Sequence, residues 1–158
     1  MGAETGSGQT NTSGWFEGAC HVLPLRVYYE DTDAAGIVYY ANYLRFAERA
    51  RTEMMRCLGA EHSTLMVEQG IAFAVRNCDT EYLQPARLDD ALFVKTRVRE
   101  VRGASMRADQ TVARREEDGA ETELVRLHIR LACMDSELKP ARLPRVVRES
   151  LGELAAEA

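Results

Sequence analysis

Long apolar runs, paired cysteines and clustered histidines are all missing from this sequence of 158 residues. No apolar stretch nears the roughly 20 residues that a membrane-crossing helix needs, so no membrane span is expected. Cys20, Cys57, Cys78 and Cys133 stand far apart, with no CxxC or Cys/His spacing. That pattern argues against a zinc site and for reduced thiols packed as small hydrophobes. His21, His62 and His128 are equally isolated, and no metal is expected. The basic-then-apolar order of an export signal is lacking too, which points to a cytoplasmic protein. The 20 Lys and Arg against 25 Asp and Glu give a net charge of -5 with no basic stripe, so nucleic acid is not an expected partner.

The Gly-, Ser- and Thr-rich start reads as a flexible tail over residues 1–18, followed by a single domain over 19–158. Residues 22–29 (VLPLRVYY) form a strand pattern, with Pro24 suiting an edge position. From about 40 to 58 the pattern is helical, because Tyr43, Ala47, Ala50, Met54 and Leu58 recur at spacings of three or four. Gly59 ends that helix, and residues 61–70 read as a short connection. Four strand-like runs follow, at 71–83, 91–101, 105–114 and 121–134, separated by Pro85, Asp89-Asp90, Gly103 and Asp118-Gly119. Pro144 opens a short terminal helix. This is an α+β pattern. A single amphipathic helix buries its stripe by lying across one face of a curved sheet of about five mostly antiparallel strands. Such a sheet has exposed edges, and pairing between copies would cover them.

Chemistry concentrates in EDTDAAGIVYYANYLRFAERAR, residues 30–51. Glu30, Asp31 and Asp33 crowd just before a helix start, where free N–H groups and the positive dipole end are available, and Gly36 permits an unusual turn. A carboxylate beside such donors can attack a carbonyl or activate water while the donors hold the oxyanion. On loop chemistry alone, capping and turn formation explain the acids more readily than catalysis does. A calcium loop fails: Asp31-x-Asp33-x-x-Gly36 matches in part, but Ala35 and Asn42 occupy the next ligand positions.

The segment RVYYEDTDAAGIVYYANYLRFAERARTEM closely resembles the signature of the 4-hydroxybenzoyl-CoA thioesterase family, of hot-dog fold. It looks closest to the Tol-Pal-associated acyl-CoA thioesterase branch. AFAVRNCDTEYLQPARLDD, VRGASM and LKPARLP are similar to the same branch's second strand, hairpin and C-terminal segment. The resemblance implies a hot-dog domain with a curved antiparallel sheet round one long helix. It also implies an acyl-CoA thioesterase that assembles as a homodimer or homotetramer, and acyl carrier protein thioesters are a further candidate substrate. No cofactor is implied, coenzyme A being part of the substrate. Carried over by position, the catalytic acid falls on Asp33 and the backbone oxyanion donor on Tyr40, where many members of the nearest branch have His. Glu48 is a reserve catalytic candidate, because other hot-dog enzymes place their carboxylate on this helix. Gly36, Val38, Arg102 and Ser105 are the substrate-contact candidates, the last two through the nucleotide. Two rival readings share the fold: an acyl-thioester dehydratase and a non-catalytic acyl-binding or scaffolding protein.

Overall fold

The structure, a computed structural model, describes residues 11–157. Its six strands are β1 (Trp15–Glu17), β2 (Cys20–Arg26), β3 (Ala72–Tyr82), β4 (Ala91–Arg102), β5 (Ser105–Arg115) and β6 (Glu121–Met134). They form one antiparallel sheet in the order β1-β2-β4-β5-β6-β3. The helices are α1 (Asn42–Cys57), α2 (His62–Gln69) and α3 (Arg145–Glu157).

Two periodicities meet in the core. Along β5, Met106, Ala108, Gln110 and Val112 are buried; along β6, so are Leu127, Ile129, Leu131 and Cys133. The residues between them face outward, as a period of two requires. Register shifts at Val75/Asn77, Val98/Glu100 and Val112/Ala113 bend the sheet. α1 turns Tyr43, Phe46, Ala47, Ala50, Met54 and Met55 inward, a stripe at helical spacing that packs on β2, β4 and β5. Ala47 and Ala50 have no exposed surface, and their small side chains let the helix come close to the sheet. The expected sheet round one long helix is what forms.

A buried polar group sets the helix on the sheet. Gln110 Nε2 donates to the Ala47 carbonyl and to Thr96 Oγ1, both at 2.9 Å, while its Oε1 accepts from Arg51 Nη1 at 2.8 Å. Each end of that amide is therefore satisfied, which is what makes its burial tolerable.

The structure corrects three expectations. Residues 15–17, placed in the tail, form β1 and pair with β2, so the sheet has six strands; Gly18 turns the hairpin at φ +60. Three residues carry too little alternation to register as a pattern. Residues 1–10 of the predicted tail lie outside the described residues. The connection at 61–70 is instead α2, closed by Gly70 at φ +64 and held by buried Leu65. Finally, the first long strand stops at Arg26, and Tyr29–Asp31 is a 3-10 turn.

His21 is fully buried on β2, with Nε2 2.8 Å from the Ser13 carbonyl. That contact requires the proton on Nε2, and Nδ1 has no partner among the described residues. Burial holds its pKa below the ordinary 6.5. The unfolded chain then takes up the proton first, so this contribution to stability is lost as pH falls below 6.5. The urea midpoint should drop between about pH 7 and about pH 5, and His21→Gln should flatten that slope. Acids with lowered pKa, Glu100, Asp109 and Glu116, respond only lower, from ordinary values of 4.5, 3.8 and 4.5. A midpoint constant over the window would overturn the neutral assignment.

Candidate active site

The acidic loop is built as a small hairpin against the start of β4. Val27 N–H donates to the Asp90 carbonyl and Asp89 N–H returns to the Val27 carbonyl, each at 3.0 Å. The 3-10 turn then reverses the chain, and residues 32–38 fold back on themselves: Thr32 bridges Val38, and Asp33 N–H donates to the Ile37 carbonyl at 2.9 Å. The turn at the tip closes through Gly36 N–H to the Asp33 carbonyl at 3.0 Å. Gly36 sits at φ +76, the left-handed position this three-residue hairpin loop needs. The hairpin is fixed to the body where Val38 N–H meets the Ala86 carbonyl at 2.9 Å. Val38 itself is core, 3% exposed, so of the two loop contact candidates only Gly36 lies on the surface.

The three acids separate by their hydrogen bonds. The Asp31 carboxylate accepts from Tyr28 N–H at 2.8 Å and lies 3.5 Å from Asn42 Nδ2, while its carbonyl accepts from Asn42 Nδ2 and from Tyr39 N–H. It is the joint between the turn and the helix start. Asp33 is exposed, and only its Oδ1 is used, by Ala35 N–H at 2.9 Å. Among the described residues Oδ2 has no partner. Glu30 is exposed in the turn and makes no described contact.

Tyr40 lies on the other leg, just before α1. Its amide donates to no group among the described residues, and the Ala41 cap offers no side-chain acceptor. Its carbonyl accepts from Tyr82 Oη at 3.0 Å, and its ring packs against Tyr39 and Tyr82, centroids 4.8 and 6.3 Å away. Burial raises the Tyr82 pKa, which keeps that hydroxyl a donor. Burial likewise raises that of Tyr43, whose oxygen accepts from Ala86 N–H at 2.9 Å. Aromatic contacts thus hold the peptide around Tyr40 while leaving its N–H free. Tyr82 was not singled out from the sequence; its place at the end of a strand run was the available signal.

The other site residues are elsewhere. Glu48 is exposed on α1, about 9 Å of helix beyond Asn42, at the rim of a separate cavity. Arg102 and Ser105 lie at the far end of β4 from the Asp33 loop, so one chain does not bring them together with Asp33. They line a cleft of about 270 Å³ with Arg76, Arg107, Arg130 and Glu100. Arg102 Nε donates to Glu100 at 2.8 Å, and Arg107 lies 3.6 Å from the same carboxylate. Among the described residues Arg76 and Arg130 have no ion pair, leaving the cleft basic. These arginines come together only through strand register, which leaves no mark in the sequence.

Replacing Asp31 by Ala removes a joint and should cost about 1–2 kcal/mol of stability. Asp33→Asn keeps the Oδ1 acceptor and should stay within about 0.5 kcal/mol of wild type. Urea unfolding of the two variants at neutral pH checks the contrast.

Residues 27–151 match the family model of the Thioesterase-like superfamily. The acyl-CoA thioesterase YbgC of Haemophilus influenzae is 42% identical over 133 residues, covering 84% of this chain and 94% of that one. A probable thioesterase from Bartonella henselae has a similar structure, with a TM-score of 0.73 and 35% identity over 79% of this chain and 99% of its own. The 4-hydroxybenzoyl CoA thioesterase of Pseudomonas sp. strain CBS-3 superposes with a TM-score of 0.74 at 25% identity, covering 85% and 98% of the two chains. With a matched span that takes in the acidic hairpin, α1 and every strand from β3 to β6, the chain belongs to the Thioesterase-like superfamily.

Proposed function

We propose that this protein hydrolyses acyl-CoA thioesters, with Asp33 as the reacting carboxylate and the Tyr40 amide as oxyanion donor. One observation carries the reading: a single small hairpin holds an acid with an uncommitted oxygen on one leg and an uncommitted backbone donor beyond the other. The Tyr40 N–H, with the positive end of α1 behind it, polarises the thioester carbonyl. Asp33 attacks that carbon and expels the CoA thiolate, giving a mixed anhydride that water cleaves to the free acid; alternatively it takes a proton from the attacking water. The names of its YbgC relatives support the substrate class. Neither His21, at the other end of α1 beside Cys57, nor His128, on the outer sheet face with Asp109, joins Asp33 as the dehydratase reading requires.

The nucleotide's place argues for two copies. β3 is a long edge strand whose Tyr82 end touches Tyr40. At its other end the row Ala74–Ala132–Ser105 leads inward to the arginine cleft. Antiparallel pairing of two β3 edges would set the cleft end of one copy beside the Tyr40 end of the other. Arg102 and Ser105 would then bind the phosphates of a CoA whose thioester lies at the neighbour's Asp33. A homodimer is the minimal active unit on this reading, in the cytoplasm and with no cofactor.

Asp33→Asn should lower kcat at least about 10²-fold while leaving the fold intact, assayed by thiol release from an acyl-CoA panel. Oxygen-18 entering Asp33 in a single turnover would mark the anhydride route. An Asp33→Asn protein of wild-type activity would sink the assignment. The shared site has its own check. Asp33→Asn chains and Arg102→Ala/Arg130→Ala chains, refolded together, should regain roughly a quarter of wild-type activity, since half the dimers are hybrids with one intact site. No recovery would place both halves of the site in one copy.

A further inference from the structure

The start of α1 passes over one carbonyl. Asn42 N–H donates to the Tyr39 carbonyl at 2.8 Å and Leu44 N–H to the Ala41 carbonyl at 3.1 Å, each reaching three residues back. Among the described residues no backbone N–H reaches the Tyr40 carbonyl that lies between them. An α-helix begun one residue earlier would give it the Leu44 N–H, four residues on. It accepts instead from Tyr82 Oη at 3.0 Å, a side chain 42 residues away on β3. The Ala41 cap offers no side-chain hydrogen bond that would fix this boundary in another way.

Tyr82 can act as a fixed strut because its backbone and its ring are both held. It is the last residue of β3 and pairs with Val125 of β6, which is fully buried. Its ring meets that of Tyr43 edge-on, with centroids 5.8 Å apart. Tyr43 is itself core, packing on Phe46 and accepting from Ala86 N–H. Edge-to-face contacts of this kind fix the orientation of a ring as well as its position. The hydroxyl is therefore aimed at Tyr40 by the core, not by the loop that it holds.

We infer that Tyr82 is a positioning residue of the hydrolytic site: its hydroxyl holds the Tyr40 carbonyl out of the α1 ladder and so keeps the Tyr40 N–H aimed at the thioester carbonyl. The inference rests on the reading of that N–H as the oxyanion donor. Tyr82 itself touches no reacting atom. Without its hydroxyl the Tyr40 carbonyl is free to take the Leu44 N–H, α1 gains a residue, and the peptide that carries the donor turns with it. A displaced donor stabilises the transition state less, while contacts to the rest of the substrate persist.

The test uses the full-length protein labelled with 15N-tyrosine, whose six tyrosines give six backbone amide signals; Tyr40→Phe identifies that of Tyr40. Tyr82→Phe keeps the ring and removes only the hydroxyl, at a residue 47% exposed, so the urea midpoint should move by no more than about 0.5 M. In the thiol-release assay it should lower kcat about tenfold, with KM within about twofold of wild type. The Tyr40 amide signal of the free variant should move, while those of Tyr28 and Tyr29 stay. Both proteins are then titrated with the ketone analogue, CH2 in place of the sulphur, of the acyl-CoA that turns over fastest. In the wild type the Tyr40 signal should shift downfield, and in Tyr82→Phe that shift should shrink at saturation. A wild-type Tyr40 signal that ignores the bound analogue would remove the oxyanion reading, and this inference with it. The full wild-type shift reproduced in Tyr82→Phe, or a kcat unchanged by the substitution, would overturn the positioning role alone.

Discussion

The close seating of α1 in the hollow of the sheet is the constraint on which the rest of the molecule depends. Ala47 and Ala50 leave no bulk between helix and strands, and Gln110 reaches across to the Ala47 carbonyl. Burial of Phe46, Met54 and Met55 contributes about 1.5–3 kcal/mol each to holding that arrangement. Once the helix axis is fixed, so is its N-terminus. Asn42 and Tyr43, its first two residues, then catch the acidic hairpin on one side and the 86–90 segment on the other. The hairpin is rigid where it is tied and open where it is not. Asp31 is consumed in the tie, and Asp33, two residues on, is left with a free oxygen at the surface. Division between a scaffolding acid and an available one is what a site on a loop, held by a rigid body, requires.

The sequence made some of this legible and hid the rest for a physical reason. α1 and β6 were readable because their apolar residues recur at the spacing of their own backbone, a property local to each segment. β1 and α2 escaped: three residues cannot show alternation, and among the described side chains of α2 Leu65 alone is buried to mark a face. Asp33 and Tyr40 came from a long matching segment, since the loop's composition alone favoured capping; the hydrogen bonds then distinguish Asp33 from Asp31 and Glu30. Val38 sends its side chain into the core, which the composition of the loop does not reveal. Arg51 and Gln110 lie 59 residues apart and meet only when helix and sheet are assembled. No single-segment pattern encodes such a pair.

The outer face of the sheet obeys a simpler rule, and its exception is informative. One cross-strand row runs Asp79, His128, Asp109, Arg97, with His128 Nδ1 2.7 Å from Asp109 Oδ1; the next runs Glu81, Arg126, Thr111, Lys95. Opposite charges or a neutral residue separate like ones in both. In the row Asn77, Arg130, Arg107, Glu100, two arginines stand directly opposite each other. Like charges so placed oppose the sheet. That row is the one that enters the cleft with Arg102 and Ser105, where an anionic guest would turn the repulsion into attraction.

The same register explains why a single chain leaves this chemistry divided. β4 spans 12 residues, about 40 Å of contour, and it separates the 102–105 hairpin from the loop that presents Asp33. A strand short enough to bring the ends together would uncover α1, whose 16 residues span about 24 Å of that length. The enclosure that fixes the acid therefore keeps the arginines away from it. A long edge strand that starts at one end and finishes at the other offers a way out: two copies paired head to tail along β3 exchange ends without altering either core. On the proposed reading, assembly is thus a geometric consequence of enclosing one long helix in one sheet, since the fold stabilises the two halves of the site at opposite ends.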